Sequence, residues 1–182
     1  MKLNSEALLN DLVEQTKNNL NHVEQLKKLS INDLNSRKTN ESWSKLECIE
    51  HLNLYGDYYL AQIEKSISNS KHKSKPVFKS GVLGNYFVQL MKTDKKVKKM
   101  KTAKEMNPIG SNLDLSSLDR FVFQQQKLLQ LIEKARKVDL TKNTTGISIS
   151  KMIKLRLGDT FRFLVAHNER HIQQANNIVV KK

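Results

Sequence analysis

The stretch Trp43-Ser44-Lys45-Leu46-Glu47-Cys48-Ile49-Glu50-His51-Leu52 decides the fold. Ser44 followed three residues later by Glu47 has the spacing of a capping box. The hydroxyl accepts from the Glu47 amide, and the carboxylate reaches back to the Ser44 amide. Trp43 stands just ahead of the cap, placed to pack on Cys48 one turn in as a hydrophobic staple. A helix therefore starts here, and Leu46, Ile49, Leu52, Tyr59, Leu60, Ile63 and Ile67 carry an apolar face to about Asn69.

Similar periodicity appears on both sides. From Asn4 to Leu29, Leu9, Leu12, Val13, Thr16, Leu20, Val23 and Leu26 recur at three- and four-residue steps, and Ser30 to Asn40 reads as a polar connection. A third helix is expected from Leu113–Ser117 to Lys137, with Leu118, Phe121, Val122, Gln125, Leu128, Leu129 and Ile132 inward. After a turn at Thr141 to Gly146, a last helix is expected from Met152 or Asp159 to Val179, with Gly158-Asp159 as a kink or a fresh N-cap. Two prolines and six glycines in 182 residues leave room for such long helices, and strand signals are weak. The expected fold class is all-α, a four-helix bundle formed by residues 1–182 as a single domain.

Between the second and third long helices, roughly residues 70–110, the pattern changes to an insertion. A short apolar patch (Val82, Leu83, Tyr86, Phe87, Leu90, Met91) predicts a short helix near Leu83–Met91, and Pro108 and Gly110 close the segment. From Lys71 to Lys104 there are eleven lysines against the single Asp94, a net +10 of the chain's +14. Seven of them lie in the 92–104 run, a charge density suited to nonspecific contact with nucleic-acid phosphates or another acidic partner. The run has no interleaved aromatics and no DNA-binding motif, so a solvated cationic face is the favoured reading. No apolar stretch is long enough to span a bilayer. The amino terminus turns polar before any signal-peptide core, and the lone Cys48 excludes an internal disulfide. A cytoplasmic protein is the expectation.

Chemistry enters with the histidines. His167 and His171 are four residues apart in the last helix, about 40° apart around its axis and one turn along, so both can reach one metal ion. His171 also shares a seven-residue register with Leu157, Leu164 and Ile178, which puts it at a core position. A third ligand must come from another helix, and His51 is the candidate, with Tyr55 and Tyr58 on nearly the same side. Three imidazoles would leave a position open for water or substrate, and zinc, nickel and iron all accept such nitrogens. Glu47 is explained by capping, and Glu50 is a candidate to support a ligating imidazole. Cys48 reads as a packed small hydrophobe, and His22 and His72 as solvated or boundary residues. Phe161 and Phe163 read as core and interface residues of the last helix, not as a stacking platform.

Trp43-Ser44 leading through Glu47 to His51, and then His167-Asn168-Glu169-Arg170-His171-Ile172-Gln173-Gln174-Ala175, resemble the DinB-like superfamily of metal-dependent four-helix-bundle proteins. The resemblance implies a divalent ion held by His51, His167 and His171 in a protein that is often dimeric. Some members are similar to thiol S-transferases that use mycothiol or bacillithiol. Carried over, the metal would activate a low-molecular-weight thiol for attack on a small-molecule electrophile, with Arg170 and Tyr55 contacting the substrate. Arg170 could equally pair with Glu169. The alternative is a non-catalytic bundle whose lysine-rich segment binds nucleic acid or another acidic partner.

Overall fold

The structure, a computed structural model, describes residues 1–92 and 102–178. Its four long helices are α1 (Ser5–Leu26), α3 (Lys45–Ser68), α5 (Ser116–Ala135) and α6 (Leu157–Asn176); the short α2 (Ile31–Asn35) and α4 (Val82–Met91) complete the set. Helices α1 and α3 each pack against both α5 and α6, which makes a four-helix bundle. The core divides in two. One part gathers Leu9, Leu12, Ile63, Phe78, Phe161 and Leu164, and the other gathers Val23, Leu34, Leu46, Ile49, Phe121 and Ile172. On α3 and α6 the two parts meet near residues 51–55 and 166–172. The three histidines lie at that junction.

The capping box at Ser44 forms as the spacing predicts. Ser44 Oγ accepts from the Glu47 amide at 3.1 Å, and Glu47 Oε2 accepts from the Ser44 amide at 2.7 Å. Glu47 also takes a guanidinium from Arg37 and the Gly110 amide at 2.6 Å, so one buried carboxylate joins three segments. Lys45 Nζ reaches across to the carbonyls of Ala175 and Ile178, at 2.7 and 2.6 Å, and closes the exposed end of α6.

Two expectations are corrected. The first concerns strands. Strand β1 (Lys2–Asn4) pairs antiparallel with β2 (Val77–Lys79), and β3 (Thr144–Ile147) with β4 (Ser150–Arg156). Thr144–Ile147 is thus strand, where a turn is expected, and Met152 lies in a strand, where the last helix could have begun. Helix α6 starts at Leu157 with Arg156 as its N-cap, so Gly158-Asp159 is neither kink nor cap. Strands of three to seven residues in two-stranded ribbons are too short for periodicity to reveal. Second, Ser30 to Asn40 contains α2, capped by Ser30 Oγ on the Asp33 amide.

The described parts of the 70–110 segment are woven into the bundle. Phe78, Val88 and Met91 are buried, and α4 lies on α6. Residues 93–101, with most of the lysine run and its Val97 and Met100, lie outside the described residues, as does Val179. Among the described residues no helix is long and apolar enough to cross a membrane.

Candidate metal centre

His51 projects from the second turn of α3; His167 and His171 project from the C-terminal half of α6. One nitrogen from each can be chosen so that the three lie within 4.8 Å of one another. His51 Nε2 and His167 Nε2 are 3.2 Å apart. Two nitrogens on one tetrahedral ion, each about 2.0–2.1 Å from it, are separated by about 3.3 Å. The spacing fits.

The outer nitrogens fix which inner ones are available. His51 Nδ1 donates to the Met106 carbonyl at 2.6 Å, and His171 Nδ1 donates to Gln174 Oε1 at 2.9 Å. Each ring therefore carries its proton on Nδ1 and keeps an Nε2 lone pair for the cleft. His167 Nδ1 is buried with no partner among the described residues. Without an ion, one nitrogen of His167 faces another imidazole nitrogen and the other faces nothing. Buried polar atoms seldom stay so poorly served unless something else belongs there.

Electrostatics agree with ligation. Desolvation by burial holds the His51 pKa down to about 4 and that of His171 down to about 3. His167 lies well below the ordinary histidine value, first through burial, then through the other two imidazoles and Arg170. All three are neutral at physiological pH, as metal ligation requires. Aromatic rings hold them in place. Trp43 lies 4.7 Å from His51 and 5.6 Å from His171, Tyr55 lies 4.4 Å from His167, and Phe163 stacks on His167 at 5.5 Å and 10°.

The histidines open into a cavity of about 820 Å³. Tyr55, Tyr59, Phe87, Met91 and Phe163 form apolar walls; the β3–β4 turn (Ile147, Ser148, Ile149) and the 102–109 segment enclose the rest. Arg170 lines it too, its Nη1 donating to the Leu90 carbonyl at 2.9 Å, and Glu169 instead accepts from Gln173. Burial raises the pKa of the Tyr55 phenol, so its hydroxyl stays protonated and able to donate.

The sequence-predicted residues His51, Tyr55, His167, Arg170 and His171 all face this one cavity. His22 and His72 do not. Cys48 is packed away within the smaller core, with Trp43 beside that cluster. One reading needs enlarging. Trp43 is more than a staple: its ring rests on two of the histidines, and its Nε1 donates to Asn107 Oδ1 at 2.9 Å. Phe161 and Phe163 are both buried in the core as expected, and Phe163 also stacks on His167. Glu50 bonds Asn53 and Arg120 and no histidine. The Met106 carbonyl and the hairpin wall carry no sequence signal, since any residue has a carbonyl and loop paths follow from packing. Gln174 was legible as part of the quoted last-helix motif, three residues beyond His171 on the same helix.

Against known proteins, the family described as the DinB superfamily matches residues 12–175, most of the chain. No curated protein and no solved structure matches.

Proposed function

This chain belongs to the DinB superfamily, and we propose on that footing that its three-histidine cleft holds a divalent metal ion and activates a thiol for transfer to an electrophile. The observation that carries the reading is the convergence of three neutral imidazoles at the floor of a roomy, mostly apolar cavity. His51, His167 and His171 hold the ion. When bound, it supplies Lewis acidity, which favours the thiolate of a low-molecular-weight thiol near neutral pH. The thiol proton leaves to solvent, the sulfur forms a bond to the electrophilic carbon, and the displaced group departs with the electron pair of the bond that breaks.

The chain's own side chains do the positioning. The Met106 carbonyl and Gln174 keep the Nδ1 protons of two ligands pointed outward. Arg170 offers a cationic wall to an anionic group on either reactant, and Tyr55 offers a hydroxyl donor beside His167. Apolar walls exclude water, which strengthens each of these contacts and protects a thiolate from protonation.

The test is metal content of protein prepared without a histidine tag or chelator, wild type beside His51→Ala, His167→Ala and His171→Ala. About one ion per chain is expected in the wild type, with loss in each variant. Loaded protein is then assayed for conjugation of small thiols to electrophiles, and activity should vanish with the histidines. A wild type that takes up no zinc, nickel or iron refutes the metal centre; a metallated but inactive protein refutes only the transferase step.

A further inference from the structure

A second cavity, of about 590 Å³, lies on the other side of the β3–β4 ladder from the histidines. Lys154 lines it while the adjacent Leu155 lines the histidine cavity, as alternation along a strand requires. Its character is different. Lys65, Lys71, His72, Lys142 and Lys154 line it, and no aspartate or glutamate does. Three lysines on other parts of the surface pair with carboxylates, Lys17 with Glu14, Lys27 with Glu24 and Asp119, and Lys127 with Glu64. None of the four cavity lysines has a carboxylate partner among the described residues.

The neighbouring acids are engaged elsewhere. Glu64 turns to Lys127 at 2.7 Å. Asp139 is buried, its Oδ1 accepting the amides of Thr141 and Lys142 at 2.8 and 3.1 Å. The same loop is tied to the lysine segment by the Asp139 amide on the His72 carbonyl at 3.0 Å and by the Lys73–Val138 bridge. On the opposite wall Tyr58 donates to the Ile147 carbonyl at 2.9 Å, and Gln62 accepts from the Gly146 amide. The basin is therefore held in shape by hydrogen bonds to its backbone while its rim gathers like charges. Like charges gathered around one concavity raise the local positive potential and draw anions to it.

We propose that this basin binds a small anion carrying at least two phosphate groups, such as a pyrophosphate or a nucleoside polyphosphate. Four ammonium groups around one concavity match a multiply charged ligand better than a single carboxylate. A nucleic-acid strand is a poorer match, because only Tyr58 and His72 among the described lining residues carry rings on which bases could stack. The proposal does not depend on the metal centre.

The probe is inorganic pyrophosphate, titrated calorimetrically into chelator-treated full-length protein at low and raised salt. One site per chain is expected. The triple variant Lys65→Ala/Lys142→Ala/Lys154→Ala should bind about tenfold more weakly or worse. The control Lys17→Ala/Lys28→Ala/Lys134→Ala, which removes equal charge from other surfaces, should bind nearly as the wild type does. Circular dichroism checks that both fold. Absence of binding, or equal weakening in both variants, overturns the proposal. So does a single-stranded oligonucleotide that binds more tightly than pyrophosphate through the same three lysines, which would make this face a nucleic-acid surface.

Discussion

His51, His167 and His171 set a protonation problem that the fold resolves in favour of neutrality. Their folded pKa values (about 4, well below the ordinary value, and about 3) lie beneath the 6.5 of an unfolded histidine. As pH drops below 6.5, the unfolded chain takes up protons that the folded chain refuses. Stability present at neutral pH is therefore lost progressively as pH falls from 6.5 towards the folded values. Each group contributes up to about 1.4 kcal/mol per pH unit within that window. Urea unfolding of metal-free protein at about pH 7 and about pH 5 should show a lower midpoint at the acid end; an unchanged midpoint would mean that the imidazoles are solvated. Cys48 makes the opposite case for burial. Fully enclosed, its thiol pKa is pushed up to about 12, first by desolvation and then by Glu47. The native protein should leave a thiol-titrating disulfide reagent unreacted, and one thiol should appear when denaturant is added.

The decisive contact between elements is the seat of α4 on α6. A Cβ built on Gly84 would come within 2.5 Å of Asp159 Cβ, Cγ and Oδ2. Asp159 is itself fully buried, accepting from Ser80 Oγ at 2.6 Å, the Gly81 amide at 2.7 Å and Arg162 at 3.0 Å. It therefore pins the start of α4 and cannot step aside. Gly84→Ala should destabilise the protein by about 1–3 kcal/mol. It should also loosen Phe87 and Met91, which wall the metal cleft. A lowered denaturant midpoint with faster amide exchange in α4 checks this, and wild-type exchange would show that the two helices do not meet so closely. The apolar patch on 82–91 was legible as a short helix. Its docking was not, because a glycine in a sequence does not disclose which neighbour needs its missing side chain.

For the whole molecule, the proposed ligands come from two helices, α3 and α6, and the loop carbonyl behind His51 comes from the 70–110 segment. An ion held there would bind the folded chain and not the unfolded one. Metal at about a hundred times its dissociation constant should add about 2.7 kcal/mol, with a melting temperature that climbs with metal concentration and falls back with chelator. His171→Ala should abolish most of that rise while leaving the metal-free melting temperature close to the wild type, because His171 is only partly buried. A metal-induced rise that survives in all three histidine variants would place the ion elsewhere.

The four long helices and their approximate bounds, the capping box and the three histidines were determined by the sequence alone, because these are local: a repeat of three and four, an S-x-x-E, two histidines one turn apart. Even the inward face of α6 could be read, through the sevens that join Leu157, Leu164 and His171. Tertiary structure decided the rest. It brought His51 to within hydrogen-bonding distance of a residue 116 positions away, aimed the Met106 carbonyl at its ring, laid Trp43 and Phe163 on the imidazoles, and made Phe87, Met91 and Asn107 part of the cleft's wall. Those contacts join residues far apart in the chain. Their energies come from packing and desolvation, which depend on what surrounds a side chain and so cannot be read from its position in the chain.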